Sequence, residues 1–411
     1  MKSLRGTFRF VGRVVLAYVV LEGGFRFYRY ERLKSSVDEQ IHYSFSSFKA
    51  PLYTVDAEAG YAYQPNARNH QWLYDKDNDL VPHDSEIATN NMGMFGSSTD
   101  IQAAKGPDEF RIAVLGDSFC ATTTSTVPWP TALERVFSTD SDFKRLVGQS
   151  TIRVLNFGLD GTGIVQWPAV YRTRAAKFDP DFVIVNFIGD DILRRFLYRD
   201  TLQFGDAGYG MFACTSLPVT IANPTCRNGL AFVIDPTRED YRQRAIEIKR
   251  RIYEALPQQL PWYSLNPELL AAISKGHLGL HSKLQWAKSS TPHYDTEDQA
   301  MRASLEALTQ LTSVPHSTLL LHHPVVQECL AHKSDPLVQK FIQAASQEHI
   351  VDMTGEMPPG ASADEINKWY NGPYDWHPSS YGAQIYAEIV AKQIRAAISA
   401  ELSAKARAKT K

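Results

Sequence analysis

Four short stretches carry residue types able to do nucleophilic or acid–base chemistry. Gly116-Asp117-Ser118 closes the apolar, β-branched run Arg111-Ile112-Ala113-Val114-Leu115, which reads as a buried strand. A serine at the C-terminal end of such a strand stands where open α/β sheets bind ligands, so its hydroxyl is a candidate nucleophile. The alternative is that Asp117 or Ser118 only caps the next helix. Asn156-Phe157-Gly158-Leu159-Asp160-Gly161-Thr162-Gly163 is a glycine-rich turn whose backbone amides can approach a ligand closely. Ile188-Gly189-Asp190-Asp191 sets two carboxyl groups side by side, and Tyr374-Asp375-Trp376-His377-Pro378 places a histidine two residues from an aspartate. Taken alone, His377 reads as a capping or packing histidine before the last helix.

Around these residues the chain alternates strand and helix. Strands are expected at Ile112–Leu115, Ile152–Asn156, Phe182–Phe187, Ser317–Leu321 and Ile350–Met353. Helices are expected at Pro130–Phe137, Val165–Ala176, Glu297–Leu311, Asp335–His349 and Ser380–Ile398. Five strands with helices between them imply a doubly wound parallel sheet in a three-layer α/β/α domain, residues 111–398, with every candidate stretch at a strand end. Residues 31–110 read as an extended lead-in packed on that domain, 197–292 as a largely helical insertion, and 399–411 as a flexible tail rich in Ala and Lys. The insertion carries a helix near Tyr241–Leu256 with Arg242, Arg244, Lys249, Arg250 and Arg251; this is either a solvated face or a surface for an anionic polymer or lipid headgroups.

Composition narrows the class. With 44% hydrophobic and 21% charged residues and a net charge of −2, the chain is ordinary globular protein with no electrostatic case for nucleic acid. Its four cysteines include no Cys-x-x-Cys, so metal binding is unsupported. Cys214 and Cys226 bracket a turn-rich segment and either close a disulfide loop in an oxidising compartment or remain reduced. At the N-terminus, Lys2, Arg5, Arg9 and Arg13 precede the apolar run Val14–Leu21, with no acidic residue before Glu22. Residues 1–30 are therefore expected to be a short membrane anchor or signal-like segment, with the catalytic domain outside the cytoplasm. Association with a membrane surface is the second alternative and a soluble cytoplasmic protein the third.

In this order on this alternation, the four stretches resemble the SGNH/GDSL hydrolase family over about Arg111–Ile398, the insertion excluded. Asp56-x-x-x-Gly60-Tyr61 and Asn91-Met92-Gly93 in the lead-in also resemble its N-terminally anchored bacterial members. The resemblance implies a flavodoxin-like sheet order and serine-dependent acyl transfer through an acyl-enzyme, with no metal or organic cofactor. Ser118 would be the nucleophile, His377 its general base and later acid, and Asp375 the carboxylate orienting the imidazole. The acyl acceptor would be water in an esterase or deacetylase, or a sugar hydroxyl in an O-acyltransferase on an envelope polysaccharide. A catalytically impaired glycan-binding module is the third alternative.

The family's oxyanion hole uses the nucleophile's amide, a glycine amide of the second stretch, here Gly161 with Gly158 as the other register, and an asparagine side chain of the third. This chain has Asp190 at the asparagine position. An ionised carboxylate about 4 Å from a developing oxyanion would oppose it by roughly 4 kcal/mol at an effective dielectric of 20. Asp190 must then be protonated and donate, or point away, or the site is impaired. His322-His323-Pro324 follows the fourth strand and either lines the pocket or is polar surface, while Trp129, Trp167 and Trp376 either stack on a sugar ring or belong to the core.

Overall fold

The computed structural model describes residues 2–41, 45–48, 52–74, 80–96, 100–121, 127–203, 209–220, 222–231, 250, 254, 292–345, 348–371 and 376–409. The chain divides into two compact units: Met1–Phe45 with Leu73–Pro82 and Ile234–Ser289, and the remainder. In the first, helix α1 runs unbroken from Lys2 to Ile41. Among the described residues, no helix is long and apolar enough to cross a membrane.

The second unit is built on a five-stranded parallel sheet. In chain order its strands are β6 (Glu109–Gly116), β7 (Thr151–Asn156), β8 (Phe182–Phe187), β12 (Ser317–His322) and β13 (Ile350–Asp352). They lie side by side as β13-β12-β8-β6-β7, so the chain reverses its direction of travel across the sheet between β6 and β8. Ligand crevices in open α/β sheets form at such a switch point, beyond the strands' C-terminal ends. Both Ser118 and Asp190 follow switch-point strands.

Alternating side chains of these strands feed two cores. Ala113, Leu115, Val183 and Val185 pack with α5 (Trp167–Thr173), α6 (Glu297–Thr312) and α8 (Pro336–Ala344), through Val170, Leu308 and Phe341. Ile112, Val114, Ile184 and Leu321 pack against α3 (Trp129–Thr139) and α10 (Ser380–Lys409), through Leu133, Tyr386 and Val390. All six residues of β8 are buried, as a central parallel strand covered on both faces requires. Trp129 and Trp167 are wholly buried core, whereas Trp376 is 46% exposed.

Three elements depart from expectation. The Val165–Ala176 helix breaks into α5 and flanking 3-10 turns, because Arg174 leaves the helical region at φ −122. The insertion opens not on helix but on an antiparallel sheet of β9 (Tyr198–Gln203), β10 (Tyr209–Cys214) and β11 (Cys226–Ala231), in which Cys214 and Cys226 face each other and form a disulfide. These strands are too short and mixed in polarity to show a clean period of two. The expected basic helix falls mostly on residues outside those described. The last helix extends through the Ala/Lys-rich segment to Lys409.

The lead-in contributes β1 (Phe45–Phe48), β4 (Arg68–Tyr74) and β5 (Leu80–Ala88), which form a separate sheet in the order β1-β4-β5. It also contributes the hairpin of β2 (Tyr53–Asp56) and β3 (Gly60–Tyr63). Asp56 Oδ1 accepts from the amides of Glu58 and Ala59 and shapes the hairpin turn.

Candidate active site

Ser118 is delivered by geometry that only its neighbours permit. At Gly116 a Cβ would strike Cys120 Sγ and stand 2.7 Å from the Asn186 carbonyl, so β6 ends on the one residue that fits. Asp117, wholly buried, then caps the single turn α2 (Ser118–Ala121), its Oδ1 accepting from the Phe119 amide at 2.8 Å. The capping role and the candidate nucleophile thus fall on adjacent residues. The Ser118 hydroxyl has two acceptors in reach, His377 Nε2 at 2.8 Å and Asp117 Oδ2 at 3.4 Å. The first is an ordinary strong hydrogen bond and the second a weak one.

His377 lies within the loop closed by the isolated bridge Tyr370–Pro378, just before α10, and its carbonyl accepts from the Asn371 amide at 2.9 Å. Its ring lies against Phe119, centroids 5.3 Å apart, and Phe119 in turn meets His323 edge-on at 5.2 Å. Asp375, the expected orienting carboxylate, lies outside the described residues.

The glycine turn after β7 is held by the lead-in hairpin. Tyr53 and Tyr63 donate to the two carboxylate oxygens of Asp160 at 2.7 and 2.5 Å, and Tyr61 donates to its carbonyl. The Asp160 amide donates back to the Tyr63 hydroxyl at 3.0 Å. The Arg199 guanidinium lies over the Tyr53 and Tyr61 rings at 4.9 and 5.1 Å. Every polar group of Asp160 is thereby engaged, one residue before Gly161, which stands at φ +70, a left-handed backbone suited to glycine.

Asp190 is not a donor here. Its Oδ2 accepts from Arg194 Nε at 2.9 Å, and its Oδ1 lies 3.1 Å from His293 Nε2. Burial works against its charge, but His293 and the Arg194 guanidinium outweigh it and pull its pKa down to about 2. The protonated-donor alternative is thereby set aside: an ionised carboxylate only accepts. Asp191 behaves oppositely, since burial and the nearby Asp117 push its pKa up.

Sequence reasoning missed Arg194 and His293. The available signal was spacing: Arg194 is four residues past Asp190. His293 reaches the site because the two stems of the insertion pair there, Arg194 bridging to His293 and the Arg195 amide donating to the Pro292 carbonyl at 2.8 Å.

His322 and His323 are buried, contrary to a polar-surface reading. His323 stacks on Tyr386 at 3.8 Å, and burial with the adjacent His322 charge keeps its pKa well below the usual histidine range. Tyr386 donates to Asn186 Oδ1 at 2.6 Å, fixing the end of β8. His322 Nδ1 lies 3.0 Å from Asp352 Oδ1, and its Nε2 3.4 Å from Glu328 Oε2. Among the described residues no cluster of His, Cys, Asp and Glu could hold a metal ion.

No protein-family model matches the sequence, and no curated protein matches it. Among solved structures, a two-domain esterase active on acetylated mannans is 13% identical over 71% of this chain, with a TM-score of 0.35; the chain spans about half of that protein, 49%. A lipase/acylhydrolase from Enterococcus faecalis is 10% identical over 70% of this chain and 96% of its own, TM-score 0.34. A carbohydrate esterase family 2 enzyme with a carbohydrate-binding domain, from Corynascus thermopiles (Myceliophthora fergusii), is 12% identical over 87% of this chain and 93% of its own, TM-score 0.30.

Proposed function

We propose that the chain is a serine-dependent acyl-ester hydrolase of the SGNH/GDSL type, acting on acylated carbohydrate through an acyl-enzyme. The 2.8 Å hydrogen bond between Ser118 and His377, residues 259 apart in sequence, is the observation that carries it. A free serine hydroxyl is a poor nucleophile near neutral pH, and a base in hydrogen-bond contact removes that limit. As Ser118 Oγ bonds to the ester carbon, its proton passes to His377 Nε2 and the carbonyl electron pair moves onto oxygen. Collapse of that oxyanion breaks the ester C–O bond, and His377 returns the proton to the leaving alcohol. Water, deprotonated by the same imidazole, then releases the acid and regenerates Ser118. Asp375, from its place in the motif, is assigned the orienting role, and Gly161 joins the Ser118 amide in the oxyanion hole. Exposed Trp376, next to His377 in sequence, supports a sugar substrate, because an indole face suits a pyranose ring.

The same proposal puts the protein at a membrane with this unit outside the cytoplasm. The Cys214–Cys226 disulfide suits an oxidising compartment, and exposed apolar side chains from Phe10 to Leu21 suit lipid.

The test is covalent. A fluorophosphonate probe is expected to label the folded chain at Ser118, located by peptide mass spectrometry, and to leave Ser118→Ala unlabelled and His377→Ala nearly so. A folded parent that takes up no probe would overturn the enzyme reading.

A further inference from the structure

One buried guanidinium meets the turns after three neighbouring strands. Arg194, 8% exposed, donates through Nη1 to Asp117 Oδ2 at 2.9 Å, immediately before Ser118. The same nitrogen lies 3.0 Å from the carbonyl of Thr162, immediately after Gly161, and 2.5 Å from Asp191 Oδ1. Nε takes Asp190 Oδ2 at 2.9 Å. Nη1, its two N–H groups shared among three acceptors, joins the three segments, and Nε adds Asp190; a lysine ammonium has no second nitrogen to hold both sets in this plane.

Resting on the esterase reading, we propose that Arg194 is the positioning residue of the oxyanion hole. It locks the backbone beside the Ser118 and Gly161 amides in mutual register, and it holds the Asp190 carboxylate on itself, so that the hole works without a side-chain donor at position 190. The charge balance follows from the groups present. Asp190 faces Arg194 and His293 directly, with Asp191 next along the chain and Asp117 sharing the same guanidinium. Take the guanidinium away and Asp190 keeps only His293, at its Oδ1, to hold it. With Oδ2 released the carboxylate can oppose the developing oxyanion, and burial favours its protonation at higher pH than in the parent.

That consequence separates a role in the hole from a merely structural one. Four full-length proteins are compared for ester turnover from pH 5 to 9, alongside their thermal melts: the parent, Arg194→Gln, Asp190→Asn and the double variant. Arg194→Gln is expected to lose about 100- to 1,000-fold in kcat, the loss typical of a disabled oxyanion hole, with KM within about threefold of the parent. Its remaining activity should shift toward acid pH, where Asp190 is protonated. Adding Asp190→Asn should recover at least about tenfold of kcat and abolish the acid shift, because the opposing charge is gone. Asp190→Asn alone should change kcat by less than about threefold, since it is held on Arg194 rather than in the hole. If Arg194→Gln does not fold, Arg194→Lys carries the test, with an expected loss of about tenfold in kcat and the parent's pH profile. A folded Arg194→Gln that shows neither acid shift nor rescue, or an Arg194→Lys as active as the parent, would overturn the role. Probe labelling of Ser118 in the parent is the control: its failure refutes the esterase reading, whereas normal labelling without rescue refutes the role of Arg194 alone.

Discussion

Trp376 and Asp190 are the two residues near the nucleophile whose types alone do not reveal their use. Trp376 is large, apolar and 46% exposed, while its counterparts Trp129 and Trp167 have no exposure. An indole left in water beside His377 loses the burial that an aromatic of this size ordinarily gains, so a ligand is the natural cover. Trp376→Ala is therefore expected to raise KM for an acetylated oligosaccharide about tenfold, while KM for p-nitrophenyl acetate, too small to reach the indole, stays within about twofold; stacking of about 1–1.5 kcal/mol corresponds to that factor. An equal rise for both esters would show that Trp376 only shapes the His377 loop. Asp190 can be seen from sequence to occupy a donor position, and Arg194 stands at the i,i+4 spacing that could have flagged it. His293, by contrast, reaches Asp190 through tertiary pairing of the insertion stems, which no local period encodes.

Elements with strong periodicity were legible, and those stabilised by long-range polar contacts were not. Phe182–Phe187 is a strand at the expected residues because five apolar, β-favouring side chains out of six can only be buried on both faces of a sheet, with Asn186 held by Tyr386. The β2–β3 hairpin is invisible to the same reasoning, since its tyrosines earn their place through Asp160, about a hundred residues away. The loop after β12 is another such case. There His322 sits without exposure between Asp352 and Glu328. Burial works against its charge, yet the two carboxylates outweigh that and raise its pKa, and it lowers theirs in turn against the same opposition from burial. The stability from the histidine is fully present below its unfolded pKa of about 6.5 and is lost as pH rises through the higher folded value. The carboxylates contribute above their unfolded values of about 4 and lose that contribution as pH falls through their lowered folded ones. Both contributions coexist from about pH 5 to 6.5. His322→Gln should thus lower the melting temperature most near pH 5.5, with a cost of about 1–3 kcal/mol because the part-exposed Asp352 is screened by solvent, and the gap from the parent should narrow as pH rises past the raised folded pKa of the histidine. A gap that widens with rising pH would mean that His322 is buried neutral.

For the molecule as a whole, the sheet order β13-β12-β8-β6-β7 explains why residues so far apart in sequence are brought together, whereas α1 carries apolar side chains that are exposed. In α1, Phe10, Val11, Val14, Val15, Leu16, Val19, Val20 and Leu21 are each more than half exposed, and they surround the helix instead of forming a stripe. A helix polar on one side lies flat in a headgroup layer; one apolar all round must enter hydrocarbon. The uninterrupted run Val14–Leu21 would extend only about 12 Å at 1.5 Å per residue, against a hydrocarbon core of about 30 Å. That depth corresponds to insertion into one leaflet, with Arg13 at its N-terminal end placed to meet headgroup phosphates. The full-length protein is accordingly expected to co-sediment with vesicles containing phosphatidylglycerol and to bind phosphatidylcholine vesicles more weakly. The difference between the two should shrink in high salt because the basic residues are screened. Val15→Asp with Val19→Asp should abolish sedimentation with both lipids, since a charge in hydrocarbon costs about 2.5–3.5 kcal/mol apiece. Arg9→Glu with Arg13→Glu should remove only the preference for anionic lipid. A parent chain that stays in the supernatant with either lipid at low salt would refute membrane association, and the exposed collar of α1 would then have to be covered by protein.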